Sequence, residues 1–401
     1  MKIINCRNCK KKKLNYLFSL GNISFTGKFP KKNQKIKKAP LDLVMCNQCK
    51  LVQLSHKFNL RYLYGPDYGY RSGINSTMVN HLRKVVIQAI KKVKLKKNDM
   101  VLDIASNDGS LLNFYSKNVI KCGIDPILNK YKQNYKKIKH AIPSFFSISK
   151  IKKKTKKKFK IITALSVFYD AEDPNKFLRD VRDLLTLDGV FLLEFADLAS
   201  IVKYKMFDTI CHEHLEYYSS KVIINLVKNN GLKVFDIKEN LINGSSKQYY
   251  ICHNKSNIKS KNKVIQDILL QEEKLKLNKV ITFKVFIKKI NLLKNKLNKI
   301  IKTIKKNNQI IHCYGASTKG NVLLQYFGID NKKISFAAER NNNKYGLVTP
   351  GSNIKIISEK LSRLMKPDYY LVLPWHFKRE ILKREKNILK KGTKFIFPLP
   401  N

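Results

Sequence analysis

The chain has 401 residues, more than one ordinary core accommodates, so two or three domains are expected. Hydrophobic residues make up 43% and aromatics 10%, which excludes a disordered chain. Formal net charge is +53, which on its face proposes a nucleic acid or anionic membrane partner, yet 71 of the 81 basic residues are lysine. Arginine is the residue that grips phosphate bidentately and stacks on bases. Its scarcity weighs against nucleic acid, and the lysines read as a solvated surface.

The opening MKIINCRNCKKKK carries charge with no apolar stretch behind it, so no secretory signal is expected. No run approaches 18 apolar residues, so no membrane span is expected either, and a cytoplasmic monomer is the expectation. Residues 1–60 read as short and irregular, with Cys6-Arg-Asn-Cys9 and Cys46-Asn-Gln-Cys49 as two matching knuckles. Four thiolates paired in this way suit tetrahedral Zn²⁺ with every position filled, hence structural zinc on Cys6, Cys9, Cys46 and Cys49. Cys122, Cys252 and Cys313 lie in apolar runs and read as buried small hydrophobes.

Residues 61–80 are rich in Tyr, Gly and Asn and form a loop leading into a helix at about 76–94. From 99 to about 237, short apolar strands (VLDIAS, KCGID, KIITALSVF, GVFLLEF, LKVFDI) alternate with helical stretches. That alternation predicts a parallel α/β sheet. The first strand runs into Asp103-Ile-Ala105-Ser-Asn107-Asp-Gly109, with a helix expected from Ser110. Neither GxGxxG nor GxxxxGK[ST] is present. An acid at the strand end followed by small residues can instead hold the amino-acid part of S-adenosylmethionine. Asp125, at the end of the next strand, can accept both ribose hydroxyls. Asp103, Ala105, Asn107, Gly109 and Asp125 are therefore the expected cofactor residues.

Between a strand and a helix comes Cys211-His212-Glu213-His214-Leu-Glu-Tyr. This is not HExxH, so helical zinc geometry is absent, and at least one histidine is expected to serve as general base. An extended segment would put His212 and His214 on one side and Glu213 on the other. Residues 254–308 read as one or two long amphipathic helices, and 309–401 as a second, smaller α/β unit. In that unit Gly315-Ala-Ser-Thr-Lys319-Gly offers an anion site at a helix start, or serves packing between domains. His376 has no acidic neighbour in sequence and reads as structural.

Taken together, these motifs resemble the sugar C-methyltransferases that act on nucleotide-linked keto-deoxysugars, of the D-mycarose 3-C-methyltransferase kind. The shared features are the four-cysteine module, LDIASNDGSLL, HEHLEYYS, GASTKGN and LPWHF, in that order across essentially the whole chain. The resemblance implies a zinc-binding module (1–64), a class I Rossmann-like S-adenosylmethionine methyltransferase domain (65–252), and a helical linker with a C-terminal Rossmann-like domain (253–401). It implies that His214 takes the proton from a carbon beside a ketone. The resulting enolate then attacks the S-adenosylmethionine methyl group, with Glu213 orienting or polarising. Tyr68 and Tyr70 resemble the family's tyrosine that closes over the sugar, and Asn243-Gly-Ser-Ser resembles an NGGS turn near substrate; Asn243 and Lys319 are the expected substrate residues. This chain departs from many relatives at Cys211, where they carry Tyr, and at Asp170, where they carry His. O- or N-methylation of a sugar or small metabolite is the alternative within enzymes, and an RNA-binding protein or RNA methyltransferase the alternative from another class.

Overall fold

The computed structural model describes residues 1–65 and 68–399, so Pro66 and Asp67 of the tyrosine-rich segment lie outside it. The described residues form three sheets. The first begins with β1 (Leu14–Ser24), β2 (Lys38–Cys46) and β3 (Val52–Leu54), all antiparallel. Residues 1–60 therefore hold three paired strands between loops, where a short irregular stretch was expected. Two register shifts, between Tyr16 and Phe18 and between Ser19 and Asn22, break the period-2 alternation by which a strand is recognised. The long gap between the cysteine pairs is this hairpin, and pairing of Leu14 with Cys46 brings the two knuckles together.

The central sheet follows, with β4 (Met100–Ile104), β5 (Ile120–Ile124), β6 (His140–Ile142), β7 (Phe159–Leu165) and β8 (Leu185–Phe195) all parallel. Next in the chain, β9 (Glu216–Tyr217) leaves this sheet to pair with β3 of the first. The central sheet is completed by β10 (Leu232–Asn240) and β11 (Ser246–His253), giving the order β10-β11-β8-β7-β4-β5-β6 with β11 antiparallel to both neighbours. Because strand order reverses at β4, a crevice opens at the carboxyl ends of β4 and β7. Burial on both faces explains the continuous apolar runs: Leu102 and Ile104 share one core cluster with Leu178 and Val181, while Val101 shares another with Val85 and Val86. Those last two belong to the helix Ser76–Ile90, which Asn75 caps through the Met78 amide.

The expected helix from Ser110 is absent. Asp108 turns its carboxylate onto the Ser110 amide and hydroxyl, a local bond that competes with helix formation, and only a 3-10 turn at Leu112–Phe114 follows. Two helices, Asn262–Lys274 and Val280–Lys306, then lead to the third sheet. Its strands β12 (Ile311–Tyr314), β13 (Phe336–Glu339), β14 (Lys355–Ser358), β15 (Tyr369–Val372) and β16 (Lys394–Ile396) are all parallel, in the order β14-β13-β12-β15-β16. The chain is thus α/β, with two Rossmann-like units and a small cysteine module. The helix Val280–Lys306 buries Phe283, Phe286, Ile290, Leu297, Ile301 and Ile304 along one stripe. Phe286 lies 5.7 Å from Phe18 of β1, so one core runs from the first sheet to the third. Among the described residues no helix is long and apolar enough to cross a membrane.

Candidate active site and metal centre

A cavity of about 650 Å³ lies at the carboxyl ends of β4, β5, β7 and β8, closed on the far side by the starts of the loops after β12 and β15. After β4 the backbone takes left-handed conformations at alternate residues: Ala105 (φ 57°), Asn107 (φ 48°) and Gly109 (φ 75°). An alanine held there costs about 1–2 kcal/mol. Such strain persists only where the surroundings fix it and gathers at functional loops. Here Asp125 does the fixing, accepting the Asn107 amide on one oxygen and the Ile127 amide on the other, both at 2.8 Å. Ala105, Asn107 and Asp125 line the cavity beside Ile104, Ile124 and Phe146, which suits a carboxylate for ribose hydroxyls next to an apolar slot for a base. Asp103 and Gly109 are not on this wall. Asp103 accepts the Thr163 hydroxyl at 2.6 Å, and burial pushes it up to about 7. Gly109 backs onto Tyr135, whose ring would lie 3.1 Å from an added Cβ.

The segment 70–73 is strapped over this loop. Ser72 donates its amide to the Asn107 side chain, and Gly73 and Arg71 both donate to Asp108. Tyr68 and Tyr70 therefore reach the cavity wall, Tyr68 with its ring 4.9 Å from Tyr64 and Tyr70 still 44% exposed at the mouth.

The His-Glu-His segment is a turn and not the extended stretch expected. The His214 amide closes onto the Cys211 carbonyl at 3.2 Å, which reverses the predicted facing. Cys211, Glu213 and His214 all line the cavity. His212 points away, wedged between the rings of Phe25 and Phe58, with Nε2 donating to the Ala39 carbonyl at 3.0 Å. His214 donates Nδ1–H to the Thr209 carbonyl at 2.7 Å, which leaves the lone pair on Nε2. Burial pushes it down to about 4, so the ring is neutral near neutral pH. Glu213, 2% exposed, meets the Thr26 hydroxyl at 3.5 Å; its Oε1 has no partner among the described residues, and burial raises its pKa.

Facing this wall, Lys319 donates to the Asn243 carbonyl at 2.9 Å, stands 4.0 Å from Asp208 and lies over Trp375 at 5.2 Å. Asn243 is itself left-handed (φ 56°) and donates its side chain to Ser166 at 3.2 Å. Lys319 thus joins the unit of the third sheet to the loop before β11 and also lines the cavity. Its own pKa is lowered by burial, with Asp208 pulling back up. His376, read from the sequence as structural, lines the cavity with Nδ1 unpartnered among the described residues. Sequence reasoning also missed the His81–Glu194 pair (2.7 Å) on the same wall, whose partners lie 113 residues apart.

The four cysteines stand outside this cavity. Their sulfurs all lie within 4.8 Å of one another, with Cys6–Cys49 at 3.5 Å and Cys9–Cys46 at 3.4 Å. The two knuckles repeat each other. In each, the first cysteine's carbonyl accepts the amide four residues on at 3.0 Å, and that residue, Lys10 or Lys50, has φ 61°. Gln53 donates to Cys6 Sγ at 3.3 Å, a support for the ligand itself. Four sulfurs in one such cluster fit a closed tetrahedral zinc site.

Residues 241–400 match the family model for a C-methyltransferase C-terminal domain, residues 78–237 a methyltransferase domain and residues 6–64 a zinc binding domain. The chain is 27% identical over 365 residues to C-methyltransferase NovU of Streptomyces niveus, covering 90% of this chain and 86% of that protein. The three matched domains and this relative support a C-methyltransferase. This C-methyltransferase is S-adenosylmethionine-dependent and carries a zinc-binding cluster of four cysteines. Solved structures similar to it include an S-adenosylmethionine-dependent methyltransferase from Clostridium acetobutylicum (14% identity, 44% of this chain, 92% of that chain, TM-score 0.35). Another is the magnesium protoporphyrin IX methyltransferase of Synechocystis (14%, 49% and 93%, TM-score 0.34).

Proposed function

We propose that this C-methyltransferase methylates a carbon beside a ketone in a nucleotide-linked deoxysugar, with His214 as general base. The observation that carries this reading is His214, neutral, anchored through Nδ1 and open at Nε2 on a cavity wall also bearing Glu213 and Asp170. S-adenosylmethionine supplies an electrophilic methyl group when bound. Ala105, Asn107 and Asp125 hold it in this reading, Asp125 through the ribose hydroxyls. Nε2 takes the proton from the activated carbon, and the Thr209 carbonyl on Nδ1–H stabilises the imidazolium that forms. The electron pair left on carbon delocalises into the ketone as an enolate, which then attacks the methyl group. Tyr68 and Tyr70 on the strap exclude water from above, and Lys319 with the Asn243 loop receives the anionic part of the substrate. Zinc remains outside the chemistry.

Deuterium wash-in at one ring carbon tests this, using nucleotide-linked 4-keto-deoxysugars in D₂O followed by mass spectrometry. Exchange and methyl gain at the same carbon is the expected result. Methyl gain with no carbon-bound hydrogen lost would instead establish O- or N-methylation.

A further inference from the structure

Asp170 ends the 3-10 turn Phe168–Asp170 on the cavity wall, 7% exposed. Its Oδ2 accepts the Tyr64 hydroxyl at 2.6 Å, while Oδ1 is buried with no partner among the described residues. The turn is docked directly on the base: the Leu215 amide donates to the Tyr169 carbonyl at 2.8 Å, and the Tyr169 ring lies 4.0 Å from that of His214.

The charges around Asp170 all have one sign. From the His-Glu-His segment it faces Glu213 and Glu216, and from the strap side the phenols of Tyr64 and Tyr68; its neighbours Tyr169 and Cys211 are neutral when protonated. Among the described residues no cation counters it there. An ionised carboxylate with one phenol donor would be buried beside two other acids, at a cost that protonation removes. Burial and those acids hold it well above the usual carboxylate range. Since Tyr64 already donates to Oδ2, the acid proton sits on Oδ1, the oxygen that lacks a partner and in this form needs an acceptor.

We propose that Asp170 is a neutral carboxylic acid whose Oδ1–H donates a hydrogen bond to the substrate's ketone oxygen while His214 removes the neighbouring carbon's proton. The assignment rests on the ketone reading above and adds to it the group that meets the developing charge. As the C–H bond breaks, its pair forms the carbon–carbon double bond, the carbonyl π pair moves onto oxygen, and Nε2 gains the proton. Asp170 keeps its own proton throughout, shared in a hydrogen bond that strengthens as the oxygen becomes an enolate. Nothing is oxidised or reduced.

The test is Asp170→Asn, which keeps the shape, keeps an acceptor for Tyr64 and replaces O–H by N–H, set beside Asp170→Ala. The difference infrared spectrum of wild type minus Asp170→Asn at neutral pH, a readout independent of turnover, should contain a carboxylic-acid C=O band. Tyr64→Phe, which leaves the acid in place, should shift that band and so serves if the Asp170 variants fold poorly. With a ketone substrate, Asp170→Asn should keep kcat within about tenfold, whereas Asp170→Ala should lose about 10²–10³. The wild-type rate should fall at alkaline pH where the acid ionises, and Asp170→Asn should lack that fall. A missing acid band, or an Asp170→Asn as inactive as Asp170→Ala, overturns the assignment. An acid band in a wild type that neither exchanges nor methylates any ketone overturns the donor role through failure of the ketone reading, with the protonation itself still standing.

Discussion

Gly27→Ala offers a clean perturbation of the catalytic wall from outside it. Gly27 lies just beyond β1, in the cysteine module, and a Cβ built there would stand 2.6 Å from Glu213 Oε1 and 3.6 Å from the Tyr68 ring. A carbon–oxygen contact normally lies near 3.3 Å, so the carboxyl must retreat by roughly 0.7 Å, in a site where it is 2% exposed. Overpacking of this kind costs about 1–3 kcal/mol of stability. Displacement of a catalytic group approaching 1 Å costs up to about 100-fold in rate. The backbone at Gly27 is not left-handed, so the effect is steric alone. We expect kcat for transfer of a labelled methyl group to fall between ten- and about 100-fold. The S-adenosylmethionine Kd from calorimetry should hold, because Ala105, Asn107 and Asp125 stand on another wall. Gly392→Ala is the control: nothing lies within 4 Å of its Cβ, but φ is 96°. It should cost about 1 kcal/mol of stability and no rate. A Gly27→Ala enzyme with full kcat would refute the placement of Glu213 against that backbone.

Three other outcomes are expected. Chelation of zinc, or Cys46→Ser, should release stoichiometric metal and unfold the first sheet by circular dichroism; a metal-free protein with unchanged spectrum and melting would contradict a structural ion. The folded-state pKa values of His214 and His212, both lowered to about 4 by burial, lie below the unfolded value of about 6.5. The unfolded chain therefore binds more protons between those values, and stability present above pH 6.5 is lost as pH falls towards 4, by about 3 kcal/mol per histidine. Urea titrations over that window check this, and a flat profile counts against both burials. Lys319→Met should raise KM for a diphosphate-bearing substrate about tenfold or more with kcat largely kept; an unmoved KM would confine Lys319 to joining Asn243.

The features legible in the sequence were those set by local spacing. The CxxC pairs, the strand–helix alternation and the small-residue turn after β4 each follow from residues near one another in the chain. Pairings across distance were hidden. His212 and His214 split to opposite sides because a turn closes at Cys211, and the strand that sets this turn's exit, β9, is registered by β3 more than 150 residues earlier. The Asp103 carboxylate sits at a strand end as expected, yet Thr163 on the adjacent β7 draws it off the cavity. Strand β11 escaped notice because SKQYYICH is polar at its start. The structure buries Lys247 there only by pairing it with Glu272 at 2.7 Å and Asp197 at 3.4 Å. Tyr64 and Asp170, 106 residues apart, carry no local signal at all.

Pairing of β9 with β3 ties the His-Glu-His segment to the cysteine module. Gln53, which supports Cys6 Sγ, pairs across the ladder with Glu216, and the Leu54 amide holds the Leu215 carbonyl at 2.9 Å, one residue beyond His214. His214, two residues before β9, is thus tied to the edge of a sheet whose knuckles bring four cysteine sulfurs together. On the proposed reading, a methyltransferase segment cut free of residues 1–64 would keep Ala105, Asn107 and Asp125 but lose strand β3, against which the segment carrying His214 is registered. On that reading the unit that performs the reaction is larger than the unit that binds the donor, because a hydrogen-bonded ladder sets its edge.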